Sequence, residues 1–569
     1  MNYKEIYNEW MESSYFDEET KRELAKIADN DTEIKERFYK SLEFGTGGLR
    51  GIIGAGTNRI NIYTVRKATR GICKYIDRKF GEEGKKRGVV IAHDSRKMSR
   101  EFCEEVAATL AAYGVRAFVF DSLRATPILS FAIRYLNCQM GIVITASHNP
   151  KEYNGYKVYG SYGGQICVEE ANEIIDEINS LENLNEIKEG NFESLVSSGM
   201  ITVLDNDVDN AFNEAVMNQI RDENMVSENG DELRIIYTPI HGTGNIPVRR
   251  ALKEAGFTDV TVVKEQEMPD SEFSTVEYPN PEEREVFNIA IDMAKENNAD
   301  LIIGTDPDCD RVGIVVRDNN GEYVVLNGNQ TGAIMVNYLF SKMSEEGTIP
   351  EKTVIIKTIV TSELGAAIAA HYGAEVVNTL TGFKFIGEKI HEYEDFGSIT
   401  KNFVIGYEES YGYLVGTHAR DKDAVVSSLI ISEAALYYKL KGMTLYDALM
   451  DIYDKFGYYK EALKSITLKG IDGVEKISKI MKVFRNNKID SIAGVNVDRV
   501  LDYKEGIEDL PKSDVLKFIL EDKSWIAVRP SGTEPKIKFY FGVCGNSKED
   551  SDSKVEALMR DIEDRISSI

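Results

Sequence analysis

The sequence lacks the long apolar segments and paired cysteines that mark several classes of protein. No uninterrupted apolar run in its 569 residues approaches the ~20 residues that a membrane-spanning helix needs. The first residues show no apolar signal core. The six cysteines are scattered without a Cys-x-x-Cys pair, which argues against a disulfide framework. We therefore expect no membrane association, reduced thiols and a cytoplasmic location.

Basic residues are scarce relative to acidic ones. The chain has 68 Lys and Arg against 94 Asp and Glu, a formal net charge of −26. This charge argues against nucleic acid or an anionic membrane as a partner. An anionic substrate would need local clusters of Arg and Lys to hold it. The length predicts several domains, and the 42% hydrophobic and 28% charged residues are typical of globular proteins.

A β-α-β-α-β order occurs three times, over residues 88–145, 233–304 and 354–406. Each copy ends in a polar loop after its last apolar strand. Ligands of α/β sheets bind beyond the carboxyl ends of the strands. We therefore predict three related α/β domains whose final loops face one cleft. The last hundred or so residues differ, with strands predicted at 525–528 and 537–543.

The first of these loops places a serine beside a histidine. The apolar segment 141–144 leads directly into Thr145-Ala-Ser147-His148-Asn-Pro. A serine next to a histidine at a strand end could be a nucleophile. A strand-to-helix turn with a hydroxyl cap is the alternative.

The second loop carries three aspartates, Asp306, Asp308 and Asp310. In an extended backbone this spacing points three carboxylates the same way, and they repel one another unless a cation holds them. Oxygen ligands favour Mg²⁺ or Ca²⁺. A calcium EF-hand does not fit, because its sixth and twelfth positions would be Arg311 and Arg317; a solvated acidic turn is the other alternative. Since Mg²⁺ usually binds phosphate oxygens as well, this loop predicts a phosphoryl group nearby.

Two further segments could bind an anion. A glycine-rich loop at 44–51 offers backbone amides, although an ordinary glycine turn would look the same. Segment 529–536 combines cations, hydroxyls and a glycine that permits close approach, and its spacing is not that of a Walker loop. A basic hairpin turn is the alternative there. The candidate residues are Arg50, Arg529, Ser531, Gly532, Thr533 and Lys536.

The third loop has side chains suited to sugar hydroxyls. Glu408 offers acceptors and Ser410 a donor, and a solvent-facing acidic turn is the alternative. A basic cluster at residues 418–422 follows this loop, and a salt-bridged loop would explain it equally well. A weaker candidate for substrate binding precedes the loop at residues 381–382, where the start of a helix is the default interpretation. These additional candidates are Thr381, Gly382, His418, Arg420 and Lys422.

Taken together, the motifs resemble the α-D-phosphohexomutase superfamily, which includes phosphoglucomutase and phosphomannomutase. Segments 145–150, 306–311, 408–410 and 529–535 are similar to its phosphoserine, metal, sugar and phosphate loops, in the family's order. The resemblance spans residues 44 to about 543. Length and the helical N-terminal segment resemble the longer bacterial phosphoglucomutases and their eukaryotic glucose- and pentose-phosphate mutase relatives.

The resemblance implies a fold class and a division into domains. The expected fold is α/β, with three related α/β domains of mixed sheets and a C-terminal α+β domain around a central cleft. The expected domains are 1–205 with the helical lead-in and phosphoserine loop, 206–322 with the metal loop, 323–455 with the sugar loop and 456–569 with the phosphate loop.

The resemblance also implies a mechanism. Phosphorylated Ser147 would donate its phosphoryl group to a sugar monophosphate, and a bisphosphate would turn end for end and return its other phosphate. One Mg²⁺ would bind Asp306, Asp308, Asp310 and the phosphoserine. Lys157 is the first choice for general acid/base, with His148 and His418 as alternatives. Arg50 and Arg311 could assist catalysis.

We expect a phosphoglucomutase with glucose 1,6-bisphosphate as intermediate and activator, sugar phosphates as its only partners, and a monomer or weak homodimer. Phosphomannomutase and phosphopentomutase are the alternatives of the same mechanism. A phosphatase or a non-catalytic binding protein fits less well, because neither needs all four loops. Tyr407 and Tyr411 flank the sugar loop where many relatives have smaller residues, and their bulk could favour a smaller ring.

Overall fold

The computed structural model describes residues 2–45, 47–181, 183–394, 400–468, 470–507, 509–531 and 536–569, with the backbone alone for 470–472 and 474. In this part of the chain no helix is long and apolar enough to cross a membrane.

Three short helices form the N-terminal segment and pack on the first domain. Asn2, Asp17 and Asn30 cap their first turns with side-chain oxygens. Trp10 stacks on Phe16 at 4.1 Å between ring centroids, and a small apolar core joins these rings to the domain behind them. The helices are α1 (Tyr3–Glu12), α2 (Glu18–Ala25) and α3 (Asp31–Phe38).

The first domain contains a mixed six-stranded sheet of order β1-β5-β4-β2-β3-β6. Strands β2 and β4 are buried along their whole length, which explains why they are apolar runs without alternation. The elements are β1 (Gly48–Ile52), α4 (Ile62–Arg87), β2 (Val89–His93), α5 (Ser99–Ala112), β3 (Ala117–Phe120), α6 (Thr126–Tyr135), β4 (Met140–Ile144), β5 (Tyr153–Gly160), α7 (Val168–Asn179), α8 (Phe192–Ser197) and β6 (Ile201–Leu204), with a 3₁₀ turn at Leu184–Glu186.

The second domain has a mixed five-stranded sheet of order β11-β10-β9-β7-β8. Its last strand lies beyond residue 322, so this sheet continues past the boundary that the sequence led us to expect. The elements are α9 (Asp207–Met217), α10 (Glu223–Asn229), β7 (Ile235–Thr238), α11 (Asn245–Ala255), β8 (Val260–Val262), α12 (Lys264–Glu267), α13 (Asn288–Asn297), β9 (Leu301–Thr305), β10 (Val312–Arg317) and β11 (Tyr323–Leu326), with 3₁₀ turns at Gly230–Glu232 and Arg284–Phe287.

The third domain has a mixed four-stranded sheet of order β13-β12-β14-β15. The elements are α14 (Gly328–Glu345), β12 (Thr353–Thr358), α15 (Leu364–His371), β13 (Glu375–Thr379), α16 (Phe383–Glu394), β14 (Asn402–Tyr407), β15 (Tyr413–Val415), α17 (Ala424–Leu440) and α18 (Leu445–Phe456). The predicted mixed α/β sheets are confirmed in all three domains, each with parallel central strands and an antiparallel edge.

The C-terminal domain is α+β, with an antiparallel six-stranded sheet of order β16-β21-β20-β19-β18-β17. One continuous hydrophobic core links the first three domains, whereas the fourth has a core of its own. The elements are β16 (Tyr458–Thr467), α19 (Gly470–Asn486), β17 (Ser491–Ile492), β18 (Val495–Asp502), β19 (Leu516–Leu520), β20 (Trp525–Pro530), β21 (Lys536–Gly545) and α20 (Lys548–Ser567).

Candidate active site

All four domains contribute to a central cavity of about 660 Å³. The three predicted loops and the β20 end meet there, since each follows the carboxyl end of a strand. Asp306 and Asp308 are fully buried directly behind Asp310. The predicted site residues that line the cavity are Arg50, Ser147, His148, Lys157, Asp310, Arg311, Thr381, Gly382, Glu408, Ser410, Lys422 and Arg529.

The three loops share an unusual backbone conformation. Ser147, Cys309 and Tyr411, one in each loop, have φ of 50°, 55° and 65°. Residues other than glycine adopt this left-handed region uncommonly, and such strain concentrates at functional sites.

A short chain of hydrogen bonds fixes the serine loop. The Ser147 N–H donates to Oγ1 of Thr145 at 2.8 Å. The Thr145 hydroxyl in turn donates to Oδ2 of Asp94 at 2.6 Å. Because Asp94 follows β2, which pairs with β4 in parallel, the neighbouring strand holds the serine in place.

Arg96 is a functional residue that the sequence analysis missed. Its buried guanidinium donates to the carbonyl oxygens of Ser147 and Asn149, both at 2.5 Å, and of Pro150 at 2.8 Å. The available signal was an Asp-x-Arg segment directly after a buried strand that adjoins the serine strand. Arg96 therefore sets the path of the serine loop.

The Ser147 hydroxyl faces both a carboxylate and an imidazole. It donates to Oδ2 of Asp306 at 2.7 Å, and Nδ1 of His148 lies 3.2 Å from its oxygen. Burial and the charges of Arg311 and Arg50 lower the pKa of His148 well below its usual value. This environment therefore favours the neutral imidazole over the imidazolium.

The three aspartates form a buried cluster whose carboxylate oxygens lie within 4.8 Å of one another. Burial and the two neighbouring carboxylates raise the pKa of Asp306 well above its usual value. One oxygen each of Asp308 and Asp310 is buried and has no hydrogen-bond partner among the residues that the structure describes. Such oxygens are ligands for a hard divalent cation, so the cluster fits a metal ion.

The first domain also contacts the metal loop, which belongs to the second domain. The N–H of Thr126, at the start of α6, donates to the carbonyl oxygen of Asp308 at 2.9 Å, and its hydroxyl donates to Oδ2 of the same residue at 2.8 Å. Thr126 gave no sequence signal, because its partner lies 182 residues away.

Two lysines pair with the aspartate cluster. Lys157 donates to Oδ2 of Asp308 at 2.8 Å, and Lys422 lies 3.1 Å from Oδ2 of Asp310. Burial opposes the lysine charges, but the carboxylates outweigh it and raise the pKa of both lysines. A general-base lysine needs a depressed pKa, and this environment raises the pKa of Lys157 instead.

The sugar loop is tied to its neighbours. The N–H of Gly382 donates to Oε1 of Glu408 at 2.9 Å, and Arg311 donates to the carbonyl oxygen of Ser410 at 2.9 Å. Burial raises the pKa of Glu408 to about 7. The metal loop and two segments of the third domain thus form one connected wall.

Tyr411 lines the cavity, but Tyr407 does not. The Tyr407 ring is fully buried and stacks on Tyr413 at 6.3 Å. The expectation that Tyr407 adds bulk around the sugar is therefore wrong.

The basic cluster that follows the sugar loop divides. His418 contacts Oδ2 of Asp423 at 2.7 Å through Nε2 and lines a separate surface cavity. Arg420 is buried and pairs with Glu394. Neither side chain lines the central cavity, whereas Lys422 does.

Two cationic side chains near the phosphate loop reach the cavity, Arg529, which was predicted, and Lys538, which was not. Arg529 of β20 lies opposite Lys538 of β21 in register, and both line the cavity. Burial and the charge of Arg529 lower the pKa of Lys538, which favours an anion beside them. Ser531 and Lys536 do not line the cavity, and Gly532 and Thr533 lie outside the described residues. Alternation along β21 was the signal for Lys538.

Four family models match the chain in succession. They describe the phosphoglucomutase/phosphomannomutase alpha/beta/alpha domains I, II and III and the C-terminal domain, and they match residues 41–185, 210–321, 327–456 and 469–559.

The chain is also similar to curated proteins over most of its length. It is 37% identical to a phosphoglucomutase of Staphylococcus saprophyticus over 518 residues, 89% of this chain and 91% of that protein. It is 36% identical to a phosphoglucomutase of Staphylococcus aureus strain MSSA476 over 545 residues, 93% of this chain and 94% of that protein.

Solved structures share the fold. The open form of pp63/parafusin, a phosphoglucomutase from Paramecium, has a TM-score of 0.68 at 19% identity and covers 93% of this chain and 95% of its own. A phosphoglucomutase/phosphomannomutase family protein from Burkholderia thailandensis has a TM-score of 0.66 at 18% identity and covers 92% and 97%.

The fold, the site and these similarities define an enzyme of the phosphohexomutase class, an isomerase that transfers a phosphoryl group. The chain belongs to the phosphoglucomutase/phosphomannomutase family.

Proposed function

We propose that the enzyme is a phosphoglucomutase that interconverts α-D-glucose 1-phosphate and glucose 6-phosphate. The observation that carries the proposal is the Ser147 hydroxyl, which donates to Asp306 inside the aspartate cluster and opens on the same cavity as Glu408 and Arg529. The curated relatives named above, at 36–37% identity, support glucose as the sugar.

In the proposed reaction Ser147 carries the phosphoryl group. The bond from phosphorus to the Ser147 oxygen breaks as a bond to a free hydroxyl of the sugar monophosphate forms. His148, whose Nδ1 lies 3.2 Å from the serine oxygen, is the candidate acceptor of the hydroxyl proton, and Lys157, which pairs with Asp308, is the candidate donor to the serine oxygen. A Mg²⁺ ion on Asp306, Asp308, Asp310 and the Ser147 oxygen would neutralise charge on the transferred group.

The opposite walls hold the remainder of the substrate. Glu408 and Ser410 offer hydrogen bonds to sugar hydroxyls, and Arg529 with Lys538 offers a cationic site for the phosphate that is not transferred. Glucose 1,6-bisphosphate, turned end for end between these sites, returns its other phosphate to Ser147.

The test compares Ser147→Ala with Ser197→Ala, a surface substitution on α8, in a coupled assay of glucose 6-phosphate formation with Mg²⁺ and a trace of the bisphosphate. We expect Ser147→Ala to abolish turnover and Ser197→Ala to leave it intact. Undiminished turnover by Ser147→Ala would refute the phosphoserine mechanism, and free phosphate released faster than isomerisation would indicate a phosphatase.

Substrate choice needs a separate comparison. Turnover of glucose, mannose, glucosamine and ribose 1-phosphates by the unmodified enzyme should be greatest for glucose. A preference for mannose or ribose 1-phosphate would replace phosphoglucomutase by phosphomannomutase or phosphopentomutase while leaving the role of Ser147 unchanged.

A further inference from the structure

A second cavity, of about 510 Å³, lies between the N-terminal helices and the first domain. Its volume falls within the ~300–1,000 Å³ of typical small-molecule sites. Its lining comes from α1, α4, α7 and β1 and from the segments between them, so it is separate from the central cavity. Its main apolar lining residues are Trp10, Phe16, Phe44, Leu49, Tyr63 and Ile178.

Three aromatic rings form one part of this wall. Trp10 and Phe16 are stacked at 4.1 Å, and Tyr63 meets them edge-on at 5.5 Å and 4.8 Å between centroids. These contacts hold the rings in fixed orientations. The rings are only 2–5% exposed, so their edges alone form the part of the apolar wall against which a ligand can pack.

One cation faces this apolar surface. The half-buried Lys67 of α4 lines the cavity, and no hydrogen bond or ion pair of its ammonium group is found among the residues that the structure describes. Burial and the charge of Arg70 lower its pKa. The carboxylates of the lining, Glu9 and Glu43, are on exposed residues, and Glu43 pairs with Lys40 at 3.3 Å. A partly desolvated cation of this kind is stabilised by an anion.

We propose that this cavity binds an amphipathic anion, an alkyl or aryl carboxylate whose apolar body packs against Trp10 and whose charged end pairs with Lys67. The two cavities share strand β1. Leu49 lines this cavity and its neighbour Arg50 lines the central one, because successive strand residues point to opposite faces.

The test uses decanoate as probe and the fluorescence of Trp10 as readout. The chain has two tryptophans, so a Trp525→Phe variant leaves Trp10 as the only one. We expect decanoate below its micellar concentration to change this fluorescence saturably. In the same background Lys67→Met should weaken binding at least about tenfold, since charge-assisted contacts contribute on the order of 1.5–3 kcal/mol, and Lys67→Arg should retain it.

Lys74→Met is the matched control, because Lys74 is an exposed lysine of the same helix that does not line the cavity. It should bind decanoate like the parent. The absence of a saturable signal, or equal affinity in Lys67→Met, would overturn the proposal. Equal affinity of the parent for decanol and decanoate would also overturn it, and this comparison needs no change at Lys67.

Discussion

Ser147 donates a 2.7 Å hydrogen bond to Asp306, a residue 159 positions further along the chain and in another domain. The serine and the aspartate cluster are therefore brought together only when the first two domains pack against each other. Thr126 crosses the same interface to hold Asp308. We conclude that neither domain alone can form the reaction centre.

Replacing Asp308 by Asn should weaken metal binding, because the amide oxygen carries no negative charge. Asp308 contributes to the cluster an oxygen with no hydrogen-bond partner in the described part of the chain, so we expect Mg²⁺ affinity and kcat to fall by roughly ten- to a hundredfold. Titration calorimetry with Mg²⁺ and the coupled assay measure the two effects. Asp292→Asn, on the exposed side of α13, is the control, and equal Mg²⁺ affinity in both variants would contradict the metal assignment.

Arg96→Lys tests a positioning residue. Lysine cannot reproduce the planar guanidinium group of Arg96, which donates to the carbonyl oxygens of Ser147, Asn149 and Pro150. A displaced serine loop should lower kcat by roughly ten- to a hundredfold and change KM little. Steady-state kinetics separate the two constants, with Arg100→Lys on α5 as control. A rise in KM with unchanged kcat would show that Arg96 does not act through the serine.

Arg529→Lys tests the phosphate-binding wall. Arginine can hold phosphate through two parallel hydrogen bonds and lysine cannot, so we expect KM for glucose 1-phosphate to rise roughly tenfold. Inhibition by inorganic phosphate should weaken in parallel. Arg499→Lys, on an exposed position of β18, should alter neither constant. Unchanged phosphate inhibition in Arg529→Lys would rule out this role.

Glu433 should make stability depend on pH. Oε1 of this buried carboxyl accepts N–H bonds from Arg221 and Asp222 at 2.8 Å and 2.7 Å, and burial raises its pKa from 4.5 to about 7. Between these two values the unfolded chain loses the proton while the folded protein keeps it. The free energy of unfolding therefore falls as pH rises towards 7 and stays lower above it.

Glu433→Gln removes this titration. Between pH 5 and pH 8 the free energy of unfolding of the parent should fall relative to that of the variant by on the order of 1–3 kcal/mol. Thermal unfolding at pH 5, 6, 7 and 8 measures the difference, and Glu223→Gln on the surface of α10 serves as control. A difference between Glu433→Gln and the parent that is constant over this range would show that Glu433 does not titrate near 7.

Much of the fold could be predicted because its strands are short apolar runs between polar loops. The apolar segment 141–144 lies in strand β4 (Met140–Ile144). The last helix of the second repeat, α13, begins only at Asn288, after a 3₁₀ turn. Glu282 accepts a hydrogen bond from Arg311 at 3.0 Å, a tertiary contact that periodicity does not contain. The pairing of β11 with β10 could not be predicted from the sequence pattern either.

The loops of the site could be predicted, but the directions of several side chains could not. His418, Arg420 and Lys422 follow one another in sequence, yet Asp423 holds the first and Glu394 the second. Only Lys422 reaches the cavity. Arg96 could not be predicted because it donates to backbone carbonyl groups 51 to 54 residues away. Every residue has a backbone carbonyl group, so the sequence does not indicate which ones accept these bonds.

One hydrophobic cluster joins the first three domains, whereas the fourth domain has a core of its own, so we expect two cooperative units. Between them lies a smaller cluster in which Ile359, Val360 and Leu380 meet Trp525 and Tyr540. Heating should therefore melt the C-terminal unit in a calorimetric step of its own. The proposed phosphate site at Arg529 would then be lost while the hydrogen bond between Ser147 and Asp306 stays intact.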